Sequence, residues 1–214
     1  MTSREAILNR LRGSRQPFSE APSSPRDYLP VALVADTSRP ALIARFMEEA
    51  KKLSSHVYHL TDPASACDQI AHIVGQEKHI LNWSFAHIPL DGLESALAKA
   101  GITPAEPGDP NVRCGVTGVD AALAATGSLV YVSGEGRNRL ASLLTPVHIA
   151  VVREEQILPN MEAWVSRQRE NGLDTFKNHA NTVIVSGPSR TADIAMEVIL
   201  GVHGPAEIHI IIVP

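Results

Sequence analysis

Cysteine is scarce in this sequence. Cys67 and Cys114 are the two cysteines, and they are separated by 47 positions with no CxxC pairing. Iron–sulfur clusters are usually held by four closely spaced cysteines, so we expect no cluster in this chain. The sequence also lacks the HExxH pattern of zinc hydrolases, the GxSxG turn of serine hydrolases and the GxxxxGK[ST] phosphate loop. We therefore predict no metal centre and assume no nucleoside triphosphate.

Excess positive charge and long apolar runs are absent as well. Nineteen Lys and Arg residues are outnumbered by 23 Asp and Glu residues, which gives a formal net charge of -4. This balance provides no broad basic surface for nucleic acid or anionic lipid, and we expect no nucleic-acid partner. Apolar runs such as residues 210–213 are far shorter than the ~20 residues of a membrane-spanning helix. Because the first residues are amphipathic and do not resemble a signal peptide, the sequence predicts a cytoplasmic protein without a membrane span.

The remaining composition is that of a globular protein. The chain has 214 residues, of which 44% are hydrophobic and 20% are charged, enough for a substantial core. Residues 3–12 place Ile7, Leu8 and Leu11 on one face of a predicted helix that ends at Gly13. We divide the chain into an N-terminal helix and tether over residues 1–30 and one α/β domain over residues 31–214.

The predicted tether is rich in proline and serine. Residues 14–30 contain Pro17, Pro22, Pro25 and Pro30, a composition that forms no regular element. The simplest interpretation is an arm that packs on its own domain. The alternative is an arm that docks on a partner subunit.

Strand and helix patterns alternate after the tether. Three predicted strands cover residues 31–35, 57–60 and 79–83, and each is followed by an apolar pattern of helical spacing. The three helices begin near Ser38, at Asp62 and at Asp91 as caps, and Gly75 and Gly101 end the last two. Repeated strand–helix units predict an open, mainly parallel sheet with flanking helices. Further strands are predicted over residues 116–117, 128–132, 147–152, 182–185 and 208–213, and helices over residues 138–144 and 158–168.

The first glycine-rich segment is GVTGVDAALAATGS, residues 115–128. Its small residues let a backbone or a ligand approach closely, and polar side chains flank its turns. Thr117, Thr126 and Gly127 are candidate ligand contacts, and Asp120 is a candidate proton-handling group. The spacing fits equally well an Asp120 that caps a short helix beside glycines that only permit tight packing.

The second segment, residues 134–148, runs from a glycine-rich loop into a predicted helix and a strand. Arg137 and Arg139 stand near the helix start, where guanidinium groups and free N–H groups can bind a carboxylate or phosphate. The alternative places both arginines in solvent or in an ion pair with Glu135. His148 lies in an apolar strand and is expected to be a core residue.

The third segment, residues 185–193, passes from a strand through a turn at Gly187 into a predicted short helix. Such a turn exposes backbone N–H groups at the carboxyl end of a strand, where open α/β sheets bind ligands. Ser189 and Thr191 are therefore candidate anion contacts, and Asp193 is a candidate proton-handling group.

The fourth segment, residues 200–207, holds His203 in a turn between two glycines. A turn histidine with little shielding can titrate near neutral pH, which makes His203 the best candidate for a general acid or base. Asp193 or Asp120 would assist it. The alternative is a turn histidine that only bonds to the backbone.

Together these motifs, GVTGVDAALAATGS, GRNRLASLLTPVHIAVV, SGPSRTADI and LGVHGP, resemble the lactate utilization protein C family and its LUD domain. The resemblance is strong over residues 115–213. It implies a fold of the NagB, ribose-5-phosphate isomerase and CoA-transferase type. It also implies two iron–sulfur partner proteins that carry the clusters, in a bacterial system that oxidises L-lactate to pyruvate.

Three functions remain open on the sequence. The leading hypothesis is an accessory subunit without its own cofactor that binds a small carboxylate or a phosphorylated ligand. By analogy of fold, the chain is alternatively a stand-alone group-transfer or cyclo-ligase-like enzyme that binds CoA, a nucleotide or a folate. The third hypothesis is a regulatory ligand-binding module without turnover.

Overall fold

The computed structural model describes residues 2–14, 32–192 and 198–214 of the chain. The N-terminal helix is confirmed, but it continues through Gly13 and ends at Ser14. Most of the predicted tether lies outside the described residues. The strand predicted over residues 31–35 is wrong, because residues 32–35 pair with no strand. Leu33 is 83% exposed there. A short apolar run is therefore not sufficient to predict a strand.

The described helices and strands follow one another in the order expected of an α/β domain. The helices are α1 Ser3–Ser14, α2 Arg39–Lys52, α3 Pro63–Val74, α4 Leu93–Lys99, α5 Met161–Glu170 and α6 Asp174–Asn178. Short 3-10 helices cover Phe85–His87, Arg139–Ser142 and Glu154–Gln156. The strands are β1 His56–His59, β2 His79–Asn82, β3 Thr103–Pro104, β4 Cys114–Thr117, β5 Ala121–Leu123, β6 Ser128–Ser133, β7 Val147–Arg153, β8 Ile157–Leu158, β9 Asn181–Val185, β10 Arg190–Ala192, β11 Val198–Leu200 and β12 Glu207–Val213.

The central sheet has six strands in the order β1-β12-β7-β4-β2-β3. Every neighbouring pair in it is parallel, which confirms the predicted open, mainly parallel sheet. β7 and β12 lie near its middle and are almost continuously apolar, the pattern of strands that are buried on both faces.

The helices on this sheet begin and end where local sequence signals place them, with one exception. Asp62 caps α3 by accepting a hydrogen bond from the Ser65 N–H at 2.8 Å, and Gly75 ends that helix. Asp91 does not cap α4. That helix begins after Gly92, whose φ of 80° is a left-handed value that suits glycine.

A second sheet has four strands in the order β8-β5-β6-β9. β6 pairs antiparallel with β5 and with β9, whereas β5 and β8 are parallel. The helix predicted over residues 158–168 is α5, which begins after Asn160 because the Asn160 side chain accepts from the Ala163 N–H at 2.9 Å.

Two predicted helices of the second half have a different form. The one over residues 138–144 is the 3-10 helix Arg139–Ser142, capped by Asn138. The short helix predicted after Gly187 is wrong. Its place is taken by β10, which pairs antiparallel with β11. This pairing joins segments from either side of residues 193–197, so no local pattern in the turn could reveal it.

Most buried apolar side chains form one cluster between the central sheet and its flanking elements. Phe46 of α2, Ile149 of β7 and Ile211 of β12 are fully buried in it. A smaller cluster around Trp164 packs α5 on the second sheet. Within the described parts of the chain, no helix is long and apolar enough to cross a bilayer.

Candidate functional site

A polar cleft of about 580 Å³ lies at the carboxyl ends of three adjacent central strands. Residues 85–94 after β2, Val119 after β4 and Arg153 at the end of β7 line it, together with Arg137. Open α/β sheets bind ligands outside the carboxyl ends of their strands, so this cleft is where the fold alone places a site.

Gln156 joins two of the loops that form this cleft. Its side-chain nitrogen donates to the Val119 carbonyl at 2.7 Å, and its side-chain oxygen accepts from the Arg153 N–H at 2.8 Å. The loops after β4 and β7 are thereby fixed to each other, and one wall of the cleft is held in place.

A second cavity of about 610 Å³ adjoins the first. It is lined by Ser84, His87, Glu135, Gly136, Arg137 and His179. His87 and Arg137 border both spaces. The turn before Arg137 is fixed against the loop after β2, because the Ser84 N–H donates to the Gly136 carbonyl at 2.7 Å. A Cβ on Gly136 would lie 2.9 Å from the His87 ring, so only glycine allows this approach.

Arg137 is the charged group at the centre of these cavities. Its guanidinium carbon lies 5.6 Å from the centre of the Trp83 ring, within cation–π range. Trp83 is 3% exposed, and its Nε1–H donates to the Asn138 carbonyl at 3.2 Å. In the described parts of the chain Arg137 forms no ion pair, whereas Arg153 lies 3.6 Å from Glu155. The cleft also carries the carboxylates of Asp91, Glu94 and Glu155.

A small chamber of about 10 Å³ lies beside Arg137. We call it the Tyr131 chamber, and its lining residues are Trp83, Tyr131, Ser133, Arg137, Arg139, Ser142, Leu143, Asn181 and Val183. The hydroxyl of Tyr131 and the side-chain oxygen of Asn181 are buried and have no hydrogen-bond partner among the described residues. Burial raises the pKa of Tyr131 well above its ordinary value, and the nearby Thr117 hydroxyl opposes this only in part. The phenol is therefore neutral.

Thr117, a predicted ligand contact, is enclosed in the core. Its hydroxyl lies 2.9 Å from His148 Nε2, and both side chains are fully buried. Burial lowers the pKa of His148 to about 3, so the ring is neutral near pH 7. The expectation that His148 is a core residue is confirmed.

Asp120 contacts an aromatic side chain of α5. Its Oδ2 accepts a hydrogen bond from Trp164 Nε1 at 2.9 Å. The alternative that Asp120 caps a short helix is wrong, because β5 begins at the next residue. Asp120 thus has a clear structural contact, and the proton-handling role assigned to it from sequence remains a proposal.

Thr126, Gly127 and Gly187 meet at the end of α2. A hydroxyl chain runs from Thr126 to Ser128 and on to Ser186, with both oxygen–oxygen distances at 2.8 Å. A Cβ on Gly127 would collide with the Ala50 backbone nitrogen, and a Cβ on Gly187 would lie 2.6 Å from the Leu53 carbonyl oxygen. Gly127 and Gly187 were predicted to let a ligand approach closely. In the structure they let the backbone at the end of α2 approach closely.

Ser189 and His203 meet near the amino ends of the central strands. The Ser189 hydroxyl accepts from the His203 backbone N–H at 3.3 Å, and the His203 side chain is exposed. Ser189 N–H donates to the carbonyl of Pro205, which lies just before β12. Thr191 lies on β10, and Asp193 lies outside the described residues.

The predicted site residues therefore fall into separate groups. Arg137 and Arg139 share the Tyr131 chamber, whereas Ser189 and His203 lie at the opposite ends of the strands. The sequence analysis missed Trp83 and His87, although Trp83 is the last residue of a predicted strand, His87 follows it, and the carboxyl-end rule could have found both. It also missed Tyr131, which reads as an ordinary core residue of an apolar strand.

Cysteine and metal-ligating residues are dispersed. Cys67 and Cys114 are free and buried, and burial raises the pKa of each thiol. In residues 2–14, 32–192 and 198–214, no group of three or more His, Cys, Asp or Glu side chains could hold a metal ion.

An open parallel α/β sheet with a polar cleft at its carboxyl edge defines the class of this protein, and a solved structure shares the fold. The crystal structure of a DUF162 family protein from Deinococcus radiodurans matches 84% of this chain and 100% of that chain, with a TM-score of 0.61 and 19% identity. At this identity the likeness establishes the fold alone.

Residues 109–213 match the family model described as the LUD domain. Lactate utilization protein C of Exiguobacterium sp. is 34% identical over 46% of this chain and 43% of that protein. The Geobacillus sp. protein of the same name is 36% identical over 46% and 41%, and the Bacillus subtilis one is 31% identical over 51% and 48%. The resemblance to the lactate utilization protein C family is confirmed. The matched segment spans less than half the length of these three relatives.

Proposed function

We propose that this chain acts in lactate utilization and binds a small carboxylate in the carboxyl-edge cleft. The observation that carries the proposal is the position of Arg137, which borders the cleft, the adjoining cavity and the Tyr131 chamber. Guanidinium groups bind carboxylates through paired N–H donors, and Arg137 has no competing ion pair among the described residues. The names of the relatives supply the metabolic context.

We further propose that the chain is an accessory subunit without its own redox cofactor. Two iron–sulfur partner proteins would carry the electrons released when L-lactate becomes pyruvate. The sequence supports this division because it has two cysteines, fewer than the four that usually hold a cluster. The proposed role of this chain is to hold the carboxylate where its partners act on it.

The test combines growth with binding. Cells that lack their own copy of the gene are complemented with the wild-type chain, with Arg137→Ala or with Arg45→Ala. Arg45 is a matched control, because it is an arginine of α2 whose side chain pairs with Glu49 at 3.0 Å. We expect Arg137→Ala to abolish or strongly slow growth on L-lactate while growth on glucose is unchanged, and Arg45→Ala to behave as wild type. Normal growth of a stably folded Arg137→Ala strain on lactate would contradict the proposal.

A ligand screen separates this function from the alternatives. Ligands that bind the native state raise its melting temperature, so the purified chain is heated with L-lactate, phosphate, ATP, CoA thioesters and folates in turn. Stabilisation by L-lactate that Arg137→Ala removes supports the proposal. Stabilisation by ATP, a CoA thioester or a folate alone would favour the group-transfer or cyclo-ligase function.

A further inference from the structure

β9 is a terminal strand of the second sheet, and its outer edge is open. It pairs with β6 on one side, and no described strand pairs with it on the other. None of its five residues, Asn181–Val185, is buried, whereas five of the six residues of β6 are buried. Alternate residues of an edge strand turn their N–H and C=O groups outward. β9 therefore presents a row of backbone donors and acceptors with which another strand can pair.

Edge strands usually carry a feature that prevents such pairing. The common ones are a lysine, a proline, a bulge or a very short length. β3, at one end of the central sheet, has two residues and ends in Pro104. β9 has the sequence NTVIV, without charge or proline, and its five pairs with β6 run without a bulge. A strand of this length spans roughly 17 Å, so its outer edge is suited to strand pairing.

Exposed apolar side chains lie next to this edge. Ile184 of β9 is 40% exposed, and Phe176 of α6 is 50% exposed. Ile184 lies opposite Val130, a buried residue of the smaller apolar cluster. The Phe176 ring meets Trp164 of the same cluster edge-on, with 5.5 Å between ring centres. Ile184 and Phe176 thus extend this cluster to the surface beside the open edge.

The charges around β9 match a second copy of the same chain. When identical strands pair antiparallel about a two-fold axis, each copy contributes the same residues to the interface. A charged strand would then face its own charge, but β9 carries none. The neighbouring helix α6 carries one acidic and one basic residue, Asp174 and Lys177, so it brings no excess of one sign. Pairing of β9 with itself therefore sets no block of like charges together.

The apolar surface also fits a two-fold pairing. A pair of five-residue strands is small against the about 1,200–2,000 Å² of a standard interface, so the apolar side chains beside it are needed. Opposite residues of an antiparallel pair point to the same face. A two-fold axis therefore brings both copies of Ile184 to one side of the joined sheet, together with both copies of Phe176. Because the strand is short, we expect a dissociation constant of about micromolar size.

We propose that two copies of this chain form a symmetric dimer through antiparallel pairing of their β9 strands. The two four-stranded sheets then form one continuous sheet. Because Asn181 and Val183 of β9 line the Tyr131 chamber, the same pairing fixes one wall of the candidate site. The dimer follows from the edge of β9 and the side chains beside it, and it does not depend on which ligand the site binds.

Light scattering after size-exclusion chromatography measures the mass of the full chain in solution. At about 100 µM, well above a micromolar dissociation constant, we expect twice the 23.0 kDa mass of one chain. Dilution should return the monomer. A wild-type chain that stays monomeric at the higher concentration would overturn the proposal.

Ile184→Lys tests whether the dimer uses β9. In the monomer the ammonium group reaches solvent from a position that is already 40% exposed, so the melting temperature should change little. In the dimer two like charges meet beside the strand pair, and we expect the dissociation constant to rise more than about tenfold. Phe176→Ala, which leaves the strand unchanged, should weaken the dimer several-fold. Ile199→Lys is the matched control, because Ile199 is an isoleucine of β11 that is 49% exposed. It should keep the wild-type mass.

Hydrogen exchange locates the pairing within the dimer. Backbone N–H groups that bond across the two-fold axis exchange slowly, and they belong to alternate residues of β9. In monomeric Ile184→Lys the same groups should exchange at least about tenfold faster, while those of β6 are unchanged. A dimer that survives Ile184→Lys, or that Ile199→Lys dissociates equally, overturns the assignment to β9. A dimer whose β9 N–H groups stay unprotected overturns it as well.

Discussion

Arg137 and Trp83 form a cation–π pair, with the guanidinium carbon 5.6 Å from the ring centre. The other contacts of the ring fix its position. Its edge meets Tyr131 at 90° with 6.2 Å between ring centres, and its Nε1–H donates to the Asn138 carbonyl. A buried indole thus supports the charged group that borders the cleft, so the guanidinium is oriented before any ligand arrives.

This pair predicts an optical signal of ligand binding. The sequence has two tryptophans, so Trp164→Phe leaves Trp83 as the only indole. We expect L-lactate to change Trp83 emission, because a carboxylate neutralises the cation that lies over its ring. In the converse variant, Trp83→Phe, emission from Trp164 should not respond. A response from Trp164 alone would place the ligand near α5 and away from Arg137.

His148 makes stability depend on pH. Its pKa falls from 6.5 to about 3 in the folded protein because the ring is fully buried. Below pH 6.5 the unfolded chain binds a proton that the folded chain rejects, so stability is fully present above pH 6.5 and is lost as the pH falls towards 3. The contribution is about 1.4 kcal/mol per pH unit.

Urea unfolding between pH 4.5 and 7.5 measures this effect as a difference between wild type and His148→Gln. Contributions from groups that the two proteins share cancel in this difference. We expect the unfolding free energy of the wild type to fall more steeply with acid than that of the variant. Parallel profiles would show that His148 is protonated in the folded state.

Gly127 predicts a large effect of one methyl group. Its φ of 65° is left-handed, and an added Cβ would collide with the Ala50 backbone nitrogen at the end of α2. We expect Gly127→Ala to lower the unfolding free energy by more than about 2 kcal/mol, because strain and steric overlap add. Gly13→Ala is the matched control. Gly13 lies in α1 with no atom within 4 Å of an added Cβ, so it should be neutral or stabilising. A Gly127→Ala protein as stable as wild type would disprove the close approach.

The central sheet could be predicted because its signals are local. Asp62 caps α3, Gly75 ends it, and the apolar stripes of α2 and α3 face one core, all readable within a dozen residues. The sequence predicted a helix at β10, because its partner β11 lies beyond residues 193–197. Pairing between separate segments produces no hydrophobic periodicity within either segment. Elements made by distant contacts were therefore the ones that sequence patterns missed.

The candidate site was predictable only in part for the same reason. Arg137 stands out in sequence because two glycines precede it. Tyr131 and Asn181 have no such mark, because one looks like a core aromatic and the other like the start of a strand. Their importance depends on the cavity that they share with Arg137, which exists only after β6 and β9 have paired.

Two substitutions of Asp120 distinguish a structural role of its carboxylate from a chemical one. Its carboxylate accepts from Trp164 Nε1 at 2.9 Å, and the indole is buried. We expect Asp120→Ala to lower the unfolding free energy by about 1–3 kcal/mol, since a buried donor loses its partner. Asp120→Asn keeps an acceptor oxygen and should retain most of the stability. If Asp120→Asn is stable but does not support growth on L-lactate, Asp120 has the proton-handling role proposed from the sequence.

The final prediction compares His203 with Arg139. The His203 side chain is exposed and its known hydrogen bond is made by its backbone N–H, so His203→Ala should change the unfolding free energy by no more than about 0.5 kcal/mol. It should also bind L-lactate as the wild type does, because His203 lies near the amino ends of the strands whereas Arg137 lies near their carboxyl ends.

Arg139 lines the Tyr131 chamber with Arg137, and Arg139→Ala should weaken L-lactate binding several-fold. Calorimetry and growth on L-lactate decide the comparison. A His203→Ala protein that binds L-lactate normally but fails to support growth would give His203 a role other than ligand binding, whereas loss of binding in His203→Ala with full binding in Arg139→Ala would move the site to the amino ends of the strands.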